Sequence, residues 1–177
     1  MVEQTLILVG TRDNFLGYAF RGECHSGKGR RHRAFVTLLF DSQNRVTLQK
    51  RKHRLFDNLW DLTAISHPLH TDVGDESYQQ ASDRALLKEM GVSHVPVRKV
   101  GAFNYFARDS KNCENEYCAV LIGRHDGKCS PNPEEVYESK KVNFDDFVAD
   151  VSENPQKYTP WAVLAVKKLK KVKRPDL

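Results

Sequence analysis

The chain has 177 residues, of which 40% are hydrophobic and 29% charged, a size and balance that suit one globular domain with its own core and leave no second domain to look for. Its formal charge of +5 is gathered in residues 28–33, 50–54 and 167–174. Such clusters could meet nucleic acid or an acidic membrane surface, but they also suit a small phosphorylated ligand, and the expectation is a small-molecule diphosphate without nucleic acid. No run of 18 apolar residues is present and the first apolar stretch is too short for a leader, so a soluble cytoplasmic protein is expected.

In chain order, residues 5–9 are a short apolar run closed by Gly10 and read as a first strand, with residues 16–20 as a second. Next comes GECHSGKGRRHRAF, a glycine-punctuated cationic segment expected to be mobile. It reads either as a solvated hairpin tip or as a loop framed by His25 and His32, which face a metal while Lys28, Arg30 and Arg31 attract an anion. Residues 33–40 and 46–51 form a β-hairpin around the turn at 41–44. The basic run Lys50 to Arg54 follows, either a wet sheet edge or a second set of anion contacts.

Residues 60–92 organise the rest: a strand end carrying His67, a turn-rich loop, and a charged helix over about residues 76–90. Asp75 is the expected N-cap and Gly91 the stop. Residues 97–107 and 113–122 read as long strands. In the second, a period of two places Glu114 and Glu116 on one face, opposite Asn115 and Tyr117. Two neighbouring carboxylates repel unless a cation lies between them, so the pair is either a metal site or a solvent-facing acidic patch. A strand to about residue 142, a helix over 144–151 capped by Asn143, and a last helix starting at Thr159-Pro160-Trp161 and reaching about residue 172 complete the chain. The tail beyond is expected to fray. Cys24, Cys113, Cys118 and Cys129 fall in no CxxC pair and read as reduced thiols.

The central helix resembles the Nudix signature in part. Glu76, Arg84, Glu89, Gly91 and Val92 match it, whereas His70, Ala85 and Lys88 stand where a glycine and two glutamates belong. The flanks are similar to one branch, the type I isopentenyl-diphosphate isomerases: His25 and His32 seven apart, Ser66-His67-Pro68-Leu69, Glu114-Asn115-Glu116, Asn132-Pro133 and Thr159-Pro160-Trp161. The resemblance spans most of the chain. It implies an α/β (α+β) Nudix fold over residues 1–177, a mixed sheet sandwiched between helices, with a basic C-terminal helix and tail at 159–177.

The resemblance further implies a metal shell of His25, His32, His67, Glu114 and Glu116, a mixed N/O set suited to Mg2+, Mn2+ or Zn2+. Glu89 would hold a second Mg2+ arriving with the diphosphate. Arg21, Lys28, Arg51 and Arg84 would contact the substrate. Glu116, Tyr105 and Trp161 match catalytic positions, Trp161 as a cation–π face or, alternatively, as core packing.

Two departures bear on function. Isomerisation adds one proton and removes another, and the family resemblance implies a cysteine opposite the glutamate that Glu116 matches; Ile65, which cannot exchange a proton, occupies that position. Ala85 replaces an arginine that helps hold the diphosphate. Three readings remain at this point: an isomerase working without the cysteine, a Nudix hydrolase of a nucleoside or isoprenoid diphosphate, and a silent metal-stabilised binding protein.

Overall fold

The computed structural model describes residues 3–170; the expected end of the last helix and the tail lie outside them. The described strands form one mixed sheet with helices on both faces. β1 (Thr5–Val9) pairs with β2 (Phe15–Phe20), and β3 (His32–Phe40) meets β4 (Arg45–Arg51) through Phe40 and Val46. β9 (Val97–Asp109) and β10 (Asn112–Arg124) form a long antiparallel hairpin. β10 runs parallel to β3 over nine paired positions, from Glu116 beside His32 to Arg124 beside Phe40. β11 (Val136–Asn143) extends the other edge through β4.

Alternation along β3 and β10 builds two cores at once. Ala34, Val36, Leu38 and Phe40, with Cys118, Val120 and Ile122, join one cluster, covered by Phe147 and Val151 of α3 (Phe144–Glu153) and by Trp161, Ala162, Ala165 and Val166 of α4 (Pro160–Leu169). Phe35, Leu39, Ala119 and Leu121 point the opposite way and join Ala81, Ala85, Leu86 and Met90 of α2 (Tyr78–Met90). A strand buried on both faces reads as a continuous apolar run, and residues 34–40 have that character. His32 and Glu116 begin the rows that continue as Ala34 and Cys118, so the polar site grows out of the end of the α4-side core.

Between β4 and α2, the chain adds four short strands that the sequence showed only as a strand end and turns. These are β5 (Trp60–Asp61), β6 (Ala64–Ser66), β7 (Leu69–Thr71) and β8 (Gly74–Asp75). Two local expectations are corrected. Ser77, not Asp75, caps α2: its hydroxyl accepts from Gln80 N while the Gln80 side chain reaches back to Ser77 N, a reciprocal capping box. Asp75 is instead a β8 residue, paired with His70 Nδ1 at 2.7 Å. The glycine-punctuated segment is also tied down. Arg21–Cys24 form a short helix, α1, Ser26 bridges to Asn112, and Gly29 N donates to Ser26 O at 2.8 Å.

Caps elsewhere follow the sequence. Asn143 and Thr159 accept from Asp145 N and Ala162 N at the starts of α3 and α4. Gly91 ends α2 with φ 64°, and a β-carbon there would lie 2.8 Å from Ser130 O. Gly91→Ala therefore combines the left-handed backbone cost with a clash. It is expected to destabilise the fold by on the order of 2 kcal/mol, lowering the thermal midpoint by about 4–8 °C in calorimetry.

Candidate metal and ligand site

Strand register assembles the centre. Parallel pairing sets Glu116 beside His32, and antiparallel pairing sets Tyr105 beside Glu116 on its other flank. Ile65 lies opposite Val36, and His67 follows two residues on, just beyond the end of β6. His25 caps the end of α1, and its carbonyl accepts from Cys113 N at 3.0 Å, which anchors it to β10. The three imidazole rings lie 4.8–5.1 Å apart, centroid to centroid. His25, His32, His67 and Glu114 each present one ligand atom within 4.8 Å of the others. Glu116 completes the group, with Oε1 3.0 Å from His67 Nε2 and 3.5 Å from His32 Nε2.

All five side chains are buried, with Glu114 and Glu116 only 6% and 4% exposed, which removes the solvent-facing acidic patch as an explanation. Nδ1 of His32 lies 2.8 Å from Arg30 O and Nδ1 of His25 3.3 Å from Cys113 O, which orients the rings. Among the described residues, His25 Nε2, His32 Nε2 and Glu114 Oε2 are buried without a well-formed hydrogen bond, although Glu114 Oε2 lies 3.1 Å from His25 Nδ1 and His32 Nε2 3.5 Å from Glu116 Oε1. Buried polar atoms left unpaired are costly, and three of them converging in one cluster of nitrogen and oxygen donors fit a divalent cation.

The electrostatics put His25, His67 and Glu116 in the form that binds a cation, and His32 and Glu114 in the protonated one. Burial, with the charges of His32 and Arg21, lowers His25 to about 4, and burial lowers His67 to about 3, so both are neutral, the ligand form. Burial also acts to lower His32, but its contacts with Cys24 and Glu116 outweigh this and raise it to about 10. Burial and the Glu116 charge lift Glu114 well above the usual carboxylate range. Glu116, despite its burial, is held well below that range by His32 and His67.

A cavity of about 220 Å³ opens beside the cluster. Arg21, Arg51, His53 and Lys88, the last paired with Glu135, line it together with Ile65, Tyr105 and Trp161, and Glu89, Glu114, Glu116 and Glu135 form its acidic part. Burial and the charges of Arg51, Arg21 and Lys88 drive His53 down to about 4, a sign of how cationic this wall is. Tyr105 donates its hydroxyl proton to Glu116 Oε2 at 2.6 Å. Glu89 Oε2 accepts from Gln49 Nε2 and, at 3.4 Å, from Ile65 N, and burial raises Glu89 to about 7.

Two expected ligand contacts sit differently. Lys28 is exposed on its loop and is not among the cavity-lining residues, because the Ser26–Asn112 bridge and the tight turn at Gly29 hold that loop against β10. Arg84 reaches the cavity wall but is engaged with Glu76 through Nε and Nη2 at 2.8 and 2.7 Å, and with His67 O at 2.8 Å. Trp161 is both core and wall. It is 2% exposed, yet it lines the cavity, with its indole N–H on Asp61 and the Arg51 guanidinium 5.0 Å from its ring centroid. Sequence reasoning missed Gln49 and Asp61. Neither lies in a motif, and only the β4–β5 pairing that sets them side by side reveals them.

The NUDIX domain profile matches residues 30–162. Isopentenyl-diphosphate Delta-isomerase 2 of Aromatoleum aromaticum is 34% identical over 163 residues, covering 90% of this chain and 83% of that protein. The chain belongs to the isopentenyl-diphosphate isomerase family of the Nudix superfamily. The isopentenyl-diphosphate Delta-isomerase of Nocardia farcinica is 38% identical over 144 residues, covering 78% of this chain and 79% of that one. A solved structure from Deinococcus radiodurans shares the fold with a TM-score of 0.70 at 17% identity, covering 93% of this chain and 98% of that chain. The α/β Nudix fold with a mixed sheet is thus the fold of this chain. No described helix is long and apolar enough to cross a membrane.

His67→Ala opens the cluster and leaves Glu116 without one of its two imidazole partners. Metal analysis after loading with Mn2+ or Zn2+ is expected to show at least tenfold weaker retention, with a lowered thermal midpoint. Unchanged metal content would dismiss the cluster as a metal site.

Proposed function

We propose that this chain is a divalent-metal-dependent Nudix enzyme that binds isopentenyl diphosphate, or a close isoprenoid-type diphosphate, in the cavity beside Glu116. The observation that carries this reading is one cavity joining a buried three-histidine, two-glutamate cluster to a cationic wall and an apolar one. Arg21, Arg51 and Lys88 suit a diphosphate. Ile65, Tyr105 and Trp161 suit a short hydrocarbon. At about 220 Å³ the cavity is smaller than the roughly 300–1,000 Å³ of ordinary organic-ligand pockets, which favours a compact substrate over a nucleotide.

His25, His32, His67, Glu114 and Glu116 would hold Mg2+, Mn2+ or Zn2+, and the cation would supply the positive charge that two buried carboxylates require. Moving a double bond requires one proton added at one carbon and one removed from another. Glu116, hydrogen-bonded by Tyr105, is the pair left in this cavity to take up or return a proton. Ile65 supplies nothing from its side, so the other proton comes from water or from a hydroxyl such as Ser66, and isomerisation is slow.

Hydrolysis has weaker support. It relies on acidic residues of the Nudix helix free to gather Mg2+ around an attacking water. Here Glu76 is committed to Arg84 and Leu69 N, and Ala85 and Lys88 stand where further glutamates would be.

The test is proton and phosphorus NMR of the Mg2+- and Mn2+-loaded protein with isopentenyl diphosphate in heavy water. The expected result is slow formation of deuterated dimethylallyl diphosphate without phosphate release. Released phosphate with an unmoved double bond would replace the proposal with a hydrolase, and no reaction would leave a binding protein. Ile65→Cys restores an exchangeable proton opposite Glu116. It is expected to raise the rate by about 10²-fold or more, the ordinary range of a positioned acid–base group.

A further inference from the structure

Asp61 is a buried carboxylate that the reading above does not use. It is 0% exposed, lies on β5 opposite Gln49 of β4, and accepts the indole N–H of Trp161 at both oxygens, 3.0 and 2.8 Å. The adjacent backbone supplies a second donor, Leu62 N, at 2.8 Å. Arg51 Nη1 approaches Asp61 Oδ2 at 3.4 Å, and the guanidinium carbon of Arg51 sits 5.0 Å from the Trp161 ring centroid. One carboxylate therefore ties β4, β5 and the first turn of α4 together. Nearby backbone bonds support the same junction: Thr159 N donates to Trp60 O and Arg51 N to Leu59 O.

Arg51 is held by this arrangement without being used up by it. Nη1 goes to Asp61 and Nη2 to Leu55 O at 3.3 Å, whereas Nε is buried without a hydrogen-bond partner. Arg51 and Trp161 both line the cavity; Asp61 does not. A neutral residue of the same shape would lose the charge that faces Arg51 and would turn an amide N–H toward the indole N–H. Burial raises Asp61 to about 6, and the Arg51 charge works against that rise, so the carboxylate depends on its cationic neighbour.

We propose that Asp61 is a positioning residue which clamps Arg51 and Trp161 into one wall of the cavity, fixing the guanidinium where a diphosphate would meet it. The inference rests on the diphosphate reading for the ligand but not for the clamp. Because Asp61 acts through Arg51, its effect on ligand binding is shared with Arg51 rather than added to it. The clamp also requires the Trp161 indole proton to be strongly hydrogen-bonded and shielded from solvent.

Both consequences can be measured on the Mg2+-loaded full chain. Titration with isopentenyl diphosphate, and separately with inorganic pyrophosphate, is expected to show about tenfold weaker binding for Asp61→Asn. Arg51→Gln is expected to weaken binding at least as much, and the double variant to stay within about twofold of Arg51→Gln alone. Full additivity overturns the proposal. In the Trp60→Phe protein, where Trp161 is the remaining tryptophan, the indole N–H resonance is expected downfield of free indole and slow to exchange. This measurement needs neither ligand nor a change at Asp61, so it decides even where Asp61→Asn fails to fold. Rapid exchange at the free-indole position overturns the clamp, whereas a wild-type chain that binds neither probe overturns the diphosphate reading, and the two failures are distinguishable.

Discussion

Two glutamates on one face of β10, both withdrawn from solvent, impose the constraint on which this structure turns. An ionised carboxylate taken out of water costs several kcal/mol unless charge and hydrogen bonds replace its hydration. The chain brings three imidazoles to the same place by three routes: the end of α1, the first residue of β3, and the segment after β6. The parallel β3–β10 register does most of this, because slipping it by one residue would turn Glu116 to the opposite face of the sheet from His32. The long β9–β10 pairing then delivers the Tyr105 hydroxyl to Glu116. Such a cluster resists local relaxation, because His32 opens one core strand, Glu114 and Glu116 lie within another, and His25 and His67 sit in links between elements.

The same economy explains why an incomplete Nudix helix still holds the site. Arg84 joins Glu76 to the His67 carbonyl, and Glu76 accepts from Leu69 N, so α2 braces the segment carrying His67 through the His67 backbone. Glu89, one turn further on, accepts from Ile65 N and from Gln49, binding the helix to β6 and β4. The signature positions that this chain keeps include those with such structural bonds. Lys88, at a position where the signature has a glutamate, pairs with Glu135 at 2.7 Å on the cavity wall, a partner the signature glutamate could not take.

Much of this was legible in the sequence where local rules and tertiary packing agree. The alternation of Glu114 with Asn115, the Asn143 cap, the helix start at Thr159-Pro160-Trp161 and the Gly91 stop are short-range features, and each is realised. The histidine and glutamate set came together only through the family resemblance, and the structure brings those five side chains into one cluster. The α2 cap was misplaced because Gly74-Asp75 resembles a helix start, although the Ser77 to Gln80 capping box was visible two residues on. The segment 25–31 was read as mobile from its glycines and charges, yet its order comes from contacts with β10, more than 80 residues away, which local composition does not encode. Asp61 was invisible for the same reason, its partners lying 10 and 100 residues away.

The position of Ile65 separates holding a ligand from transforming it. Its backbone N–H serves Glu89 and its side chain packs against the α4-side core, so the residue contributes to the cavity wall while offering no proton. Every other feature around it keeps the polar character of a working centre: the buried cluster, the Tyr105–Glu116 bond, and the Arg51–Asp61–Trp161 junction. A wall built only to be stable would dispense with such groups, because apolar residues of similar volume often pack as well or better than buried charges. Stability alone does not call for these polar groups beside an inert side chain, and it is on them that the proposed binding of a charged ligand rests.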